Sequence, residues 1–401
     1  MSGVPLPVPS SLGRLERGAL SASLLGVLGL LAGYFADPAQ FYRSYLFGYL
    51  FWTGVALGCL SILLISHLTG GLWGLVTRRL LEAGTRTLPA LAVLFVPVAL
   101  GVSTLYPWTH PGDDEILAHK AAYLNVPFFL GRAAFYFALW ILIATLLNRW
   151  SLALDERESL RVARRLRGAS GVGLVLLGLT ITFAAVDWAM SLAPHWFSTI
   201  YGIAFMVGQA LSALALVIVI AVFLADERPM SDVLRPGTLQ DLGKLLLAFT
   251  MLWAYVHLSQ FLIVWSGNLA EETPYYLRRL QGGWQHLGLF LVVFHFALPF
   301  LLLLSRDVKR NPRVLGGLAA WVMAVRVADL YWTIGPDLGG HGHAAVPLSF
   351  HWLDVAAPLG LGGLWLFLFA RELRGRPLLP LGEPELRELL EAEASPAETH
   401  R

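Results

Sequence analysis

The sequence predicts an all-α polytopic membrane protein with ten transmembrane helices and both termini cytoplasmic. Three observations carry this. Of 401 residues, 56% are hydrophobic and only 14% charged, with a mean hydropathy of +0.63, whereas a soluble globular chain carries about 25% charged residues. Apolar runs of roughly 20 residues or more recur along the chain, each long enough to cross a hydrocarbon core. Lysine and arginine are segregated as well. Of 29, 23 fall on the N-terminus, the loops after even-numbered runs and the C-terminal tail. Four (Arg43, Lys120, Arg278, Arg279) fall on the opposite loops, and Arg132 and Arg326 lie inside runs. The arginine-rich side is therefore expected to face the cytoplasm.

The ten spans are expected near 18–36, 43–67, 87–107, 125–149, 170–193, 199–225, 241–266, 284–305, 313–335 and 347–371. Residues 1–17 are read as a cytoplasmic N-terminus; Met1 to Ser11 is Pro-rich, and no cleavage site follows the first apolar run, so no cleavable signal is expected. Span 1, within 18–42, is a peripheral helix. Span 2 carries Gly54 and Gly58, a GxxxG pair expected to allow close contact within the first bundle. Span 3 ends at Tyr106 and Trp108, an interfacial aromatic anchor like Trp196, Trp284, Trp332 and Trp352 at the other outer ends. Span 4 holds Arg132 and the string FYFALW, span 5 holds Asp187, and span 6 holds GQAL. One face of span 7 carries Thr250, Trp253, His257 and Gln260, its only substantially polar stripe. Span 8 begins near His286 and has His295 near its centre. Span 9 bears Arg326 and Asp329, and span 10, peripheral within 341–371, opens with His351 and Asp354. The acidic tail 372–401 reads as a short amphipathic helix and a solvated end.

An internal repeat organises these spans. FYFALW (Phe135 to Trp140) matches FHFALP (Phe294 to Pro299), GVAL (Gly54 to Leu57) matches GQAL (Gly208 to Leu211), and DWAMSLAP (Asp187 to Pro194) matches DLYWTIGP (Asp329 to Pro336). Three matches in the same order, four spans apart, predict a parallel repeat of two four-helix bundles, over 43–198 and 199–340.

Ionised side chains inside a bilayer cost about 2.5–3.5 kcal/mol each at a helix centre, so those present point to function. Arg326 and Asp329, and His351 and Asp354, are i, i+3 pairs on one helical face. Asp187, His257, Arg326, Asp329, His351 and Asp354 all fall in the outer half and are predicted to converge on a wet outer cavity as a proton pathway. The inner half is expected to offer only His67, Lys244 and hydroxyls. The plainer alternatives are a structural Arg326–Asp329 ion pair and a merely solvated His351 and Asp354. His295 is expected as a hydrogen-bonded core residue, and His341 and His343 (GGHGHAA) as a solvated loop rather than a metal site. One cysteine, Cys59, excludes an internal disulfide and an Fe–S cluster held by this chain. No catalytic, cofactor-binding or metal-ligating residue is assigned.

Longer strings carry a family resemblance: YLFGYLFWTGVALGCLSILLISHLTGG (45–71), YLNVPFFLGRAAFYFALW (123–140), VDWAMSLAPHWFSTIYG (186–202) and WAYVHLSQFLIVWSGNLAEETPYYLRRLQGGW (253–284). With the ten-span layout they resemble the ActF family, the second NrfD-like membrane subunit of bacterial alternative complex III. The resemblance implies a non-redox subunit, not catalytic alone, of a quinol:electron-acceptor oxidoreductase in the bacterial cytoplasmic (inner) membrane. It implies as partners the paralogous subunit ActC, a periplasmic Fe–S subunit and c-type cytochromes, with Fe–S clusters and haem c on those subunits, besides membrane lipid and the quinol pool. No nucleic-acid partner is expected. If quinone approaches this chain, Arg132 and Asp187 are the residues nearest it in the first bundle. That bundle lacks an outer histidine, which weakens a quinol-oxidising role and favours a proton pathway and scaffold beside the quinol-oxidising subunit. A proton-coupled secondary transporter and a purely structural subunit are the rival readings.

Overall fold

A computed structural model describes residues 9–156, 159–338, 347–383 and 386. Among them the chain is helical throughout, with no strand. Ten helices are long and apolar enough to cross a membrane: Ser10–Ala36, Pro38–Thr69, Leu72–Leu100, Val126–Glu156, Leu160–Leu192, Tyr201–Phe223, Pro236–Gly267, Trp284–Leu304, Pro312–Asp337 and Leu353–Arg374. They are numbered spans 1 to 10 below. The end that carries Trp108, Trp196, Trp284 and Trp352 is termed outer. His341, His343 and most of the acidic tail lie outside the described residues.

Burial ranks the spans. Span 2 is 94% buried and span 6 is 78% buried, against 22–28% for spans 1, 7 and 8. Spans 2 and 6 therefore form a central pair with the others around them. Span 2 packs on spans 3, 5 and 10, and span 6 on spans 5, 7 and 9. At their crossing a Cβ on Gly58 would fall 2.1 Å from the Gln209 carbonyl oxygen. The GxxxG pair thus serves the contact between spans 2 and 6, not contact within spans 2–5 as expected. Periodicity shows that a helix has a small-residue face; it does not show which helix that face meets. Spans 1 and 10 join through the same kind of face, Gly26 lying against Gly360 and Gly363 against Ser23.

Span 3 departs from its expected limits. It starts at Leu72, not near residue 87, because the chain reverses at once through Gly70 and Gly71, whose φ values of 70° and 95° suit glycine. The segment assigned to an inner loop is a helix, Leu72–Thr85, whose charged residues are buried. The span is interrupted near Arg86, near Leu94 and at Gly101; Pro89 and Pro97 remove the donors that would close on Thr85 and Val93 at the first two of these breaks. The Tyr49 and Tyr45 hydroxyls of span 2 donate to the carbonyls of Leu91 and Leu94 at 3.0 and 2.8 Å. A broken helix is tolerated inside a membrane where such partners exist.

Candidate functional site

The predicted residues do not converge on one cavity. They form three separate clusters.

The first joins spans 4 and 5. Arg132 Nε and Nη2 donate to the two carboxylate oxygens of Asp187 at 2.8 and 2.9 Å, and the Tyr136 hydroxyl donates to Oδ2 at 2.8 Å. Arg132 also donates to the Tyr123 carbonyl and lies over the Tyr123 ring, 3.8 Å from its centroid. Asp187 is fully buried and both its oxygens are engaged. Around it the rings of Phe95, Phe137, Trp140 and Trp188 pack at centroid distances of 5.2–6.0 Å.

The second cluster lies at the outer end, where Asp354 ties three spans. It accepts from Ser44 Oγ at 2.6 Å and Gln40 Nε2 at 3.3 Å on span 2, and from the Tyr331 hydroxyl at 3.3 Å on span 9. It also accepts from the His351 backbone N–H at 2.9 Å, closing the turn that leads into its own helix. His351 Nδ1 accepts from the Leu353 N–H. These contacts describe a clamp, and none of them reaches Asp329.

The third cluster does combine predicted residues. Arg326 and Asp329 of span 9 pair on one buried face. The guanidinium fits because span 6 has Gly208 opposite: a Cβ there would lie 2.3 Å from Nη2. One turn on, Ser212 accepts from Arg326 Nε at 3.2 Å. Trp253 of span 7 donates its indole N–H to Asp329 Oδ2 at 3.2 Å. His257 Nδ1 lies 2.9 Å from the Trp253 carbonyl. A carbonyl only accepts, so that nitrogen carries the hydrogen and Nε2 is left as an acceptor.

Several polar atoms near this pair are buried with no protein partner: Asp329 Oδ1, Gln260 Nε2, Gln209 Oε1, Trp332 Nε1 and both ring nitrogens of His295. His295 is therefore not the hydrogen-bonded core residue expected. It lies edge-on to the Trp253 indole at 4.4 Å. Its helix is wound as a π-helix over Leu291–Ala297, with the Leu298 N–H bonded five residues back to Val293. Pro299 cannot supply the donor of a regular α-turn there. Such a local π-turn often marks a functional position. A narrow cavity lined by Gln209, His257, Gln260, Arg326, Asp329 and Trp332 holds about 30 Å³ of solvent-accessible volume, room for about two waters among several polar partners. A larger apolar groove of about 700 Å³ runs between spans 7 and 8. His257, Tyr276, Asp329 and Trp332 line both spaces.

Two charged clusters escaped the sequence reading. At the inner end, buried Glu82 of span 3 accepts from Arg79 at 2.5 Å and Arg86 at 3.2 Å, and Arg79 also pairs with Asp155 of span 4. The inner half thus has carboxylates, contrary to expectation. The spacing of 79, 82 and 86 is itself a helical i, i+3, i+4 signal. At the outer end, the short helix Thr273–Arg279 lies beside the polar cavity. Arg279 is fully buried over the Tyr275 ring and pairs with Asp337 at 2.6 Å, while Arg278 pairs with Asp337 at 3.0 Å. Burial weighs against the Arg279 charge, but the Asp337 carboxylate outweighs it and holds the guanidinium above its usual range. Among the described residues no three metal-ligating side chains lie together. No protein-family model matches the chain, and no curated protein matches it.

Proposed function

We propose that this chain is an ActF-like membrane subunit of a bacterial quinol:electron-acceptor oxidoreductase of the alternative complex III type. In this reading its second four-helix group carries protons toward the outer, periplasmic side. The NrfD-like assignment rests on the sequence resemblance, and the proton role rests on one contrast. Asp187 has every acceptor site toward the protein engaged, as a structural ion pair should. Asp329 keeps one buried oxygen free of protein partners, beside His257, Gln260 and a water-sized polar cavity. A carboxylate, an imidazole and room for water within a membrane are the materials of a proton relay. The working set is thus His257, Arg326 and Asp329, joined by Trp253, Gln260 and His295. Asp187 with Arg132, and Asp354 with His351, act as clamps that fix the surrounding helices.

The test is Asp329→Asn in the native membrane. Loss of proton coupling with the partner subunits still co-purifying supports the reading. Loss of assembly assigns Asp329 to structure, and retention of both coupling and assembly overturns both roles. Co-purification with haem c and a large Fe–S subunit, read from a dithionite-reduced spectrum, tests the complex itself.

A second reading is favoured by the apolar groove. A prenylated quinol entering laterally between spans 7 and 8 would bring its head to His257 and Asp329, not to Arg132 and Asp187. A bulky Leu258→Trp substitution would then raise KM for quinol and leave the assembly intact.

A further inference from the structure

The inner end of span 4 carries a cleft that the proton reading does not use. Its volume is about 280 Å³, and it lies between spans 3, 4 and 10. Three guanidinium groups line it: Arg86, Arg149 and Arg376. Arg86 is held rigidly, donating to Asn148 Oδ1 at 2.9 Å, to Glu82 Oε2 at 3.2 Å and facing Glu372 at 3.5 Å. Among the described residues, Arg149 and Arg376 have no ion-pair or hydrogen-bond partner for their side chains. Arg376 is also close enough for its charge to act on Arg86. Glu372, 39% exposed, is the one carboxylate in the lining. The cleft therefore concentrates positive charge that the protein does not neutralise.

Part of the wall beside these arginines is apolar: Ile141, Ala144 and Leu152 of span 4 and Pro89 of span 3 line the cleft along with Thr85, Thr145 and Asn148. The exposed Leu142 and Val93 stand on the same two spans, one and four residues from Ile141 and Pro89. A charged rim set directly against a lipid-facing apolar wall matches an amphiphile, not a soluble anion. Arginine forks suit phosphate oxygens in particular, and basic pockets between transmembrane helices bind anionic head groups.

We propose that this cleft is a binding site for an anionic phospholipid, its phosphate held by Arg149 and Arg376 against the fixed Arg86 and its acyl chain lying along spans 3 and 4. The lipid would brace the cleft between spans 3, 4 and 10 from the side facing the bilayer. Because it depends only on the inner cleft, the site stands whether or not Asp329 carries protons.

The test uses the full chain with whatever subunits co-purify, exchanged into mild detergent and examined by native mass spectrometry. Phosphatidylglycerol and phosphatidylcholine of equal chain length are added in turn to the wild type and to an Arg149→Gln/Arg376→Gln variant. The wild type should retain phosphatidylglycerol over phosphatidylcholine, and the variant should bind it roughly thirtyfold more weakly, the effect of removing two arginines from a head-group site. Excess glycerol phosphate should not displace the lipid, because it has no acyl chain. Equal retention of the two lipids by the wild type, unchanged binding by the variant, or displacement by glycerol phosphate would each overturn the proposal. Among the described residues neither arginine side chain has a hydrogen-bond or ion-pair partner, so unchanged thermal stability of the variant is expected and serves as its folding control.

Discussion

Replacing Asp187 by Asn should damage the fold more than replacing Asp329 by Asn. Asp187 accepts three hydrogen bonds at 2.8, 2.9 and 2.8 Å, two of them from one guanidinium. An amide in its place offers a donor where Arg132 already presents one, and Arg132, whose side chain is only 10% exposed, is left charged without a counter-ion. Removing one member of such a buried pair costs about 3–5 kcal/mol. At about 2 °C per kcal/mol, the lower end for large domains, the melting midpoint should fall by roughly 6–10 °C. Asp329→Asn also strips a partner from Arg326, but Ser212 remains bonded to the guanidinium and the adjoining cavity can hydrate it. Its loss should be nearer 1–2 kcal/mol. Intrinsic tryptophan fluorescence during heating in mild detergent reads both midpoints. An Asp187→Asn midpoint equal to the wild type, or a larger fall for Asp329→Asn, would refute the division between clamp and relay.

Three further outcomes follow from the packing and from the outer loops. Gly208→Ala puts a Cβ within 2.3 Å of Arg326 Nη2; the flexible guanidinium should move aside at a cost of about 1 kcal/mol, so proton coupling should drop with little loss of melting temperature. Gly58→Ala meets the Gln209 backbone oxygen at 2.1 Å, which only a shift of spans 2 and 6 can relieve; a fall in stability of about 1–3 kcal/mol is expected, measured by thermal melting. In the outer loop, Asp114 is held below its usual value, first by the hydrogen bond from His195 and then by the helix N–H groups of Leu117 and Ile116. A depressed carboxylate stabilises above its unfolded value of 3.8 and loses that contribution as pH falls through the lower folded value. Amide exchange at Ile116 and Leu117, corrected for intrinsic rate, should therefore show no loss of Asp114 capping between pH 7 and 5, and a loss only below about pH 4; a loss of capping already at pH 5 would contradict this.

Much of the fold was legible because the bilayer imposes a length and an apolar composition on every span. The polar face of span 7 and the pairing of Arg326 with Asp329 followed from helical spacing alone. Span 3 was misread for a physical reason: Arg78, Arg79, Glu82 and Arg86 lower its hydropathy, and a linear average cannot show that Asp155 and Asn148, some 60–75 residues further on in span 4, complete them. The grouping of site residues failed in the same way. Depth was readable, but rotation was not: Asp187 and Asp329 sit at matching repeat positions, yet one meets an arginine fork from the neighbouring span and the other an arginine of its own helix, a tryptophan and free space. The role of Gly208 could have been suspected only from knowing that Arg326 lies opposite.

The charged knot at the inner end also sets an order of events in synthesis. Arg78 and Arg79 leave the ribosome long before their partners: Asp155 comes some two spans later, and Glu383, which bonds Arg78 at 2.5 Å, comes after the tenth span. The Gly382 N–H in turn closes on Asp155 at 3.1 Å. Chains are made from the N-terminus onward, so the inner half of span 3 must wait at the membrane surface, or be held by other factors, until the tail arrives. A segment translated after the tenth span thus works as a fastener for the third. A chain truncated before Gly382 should reach the membrane with all ten spans present and still leave span 3 open to proteolysis from the inner side.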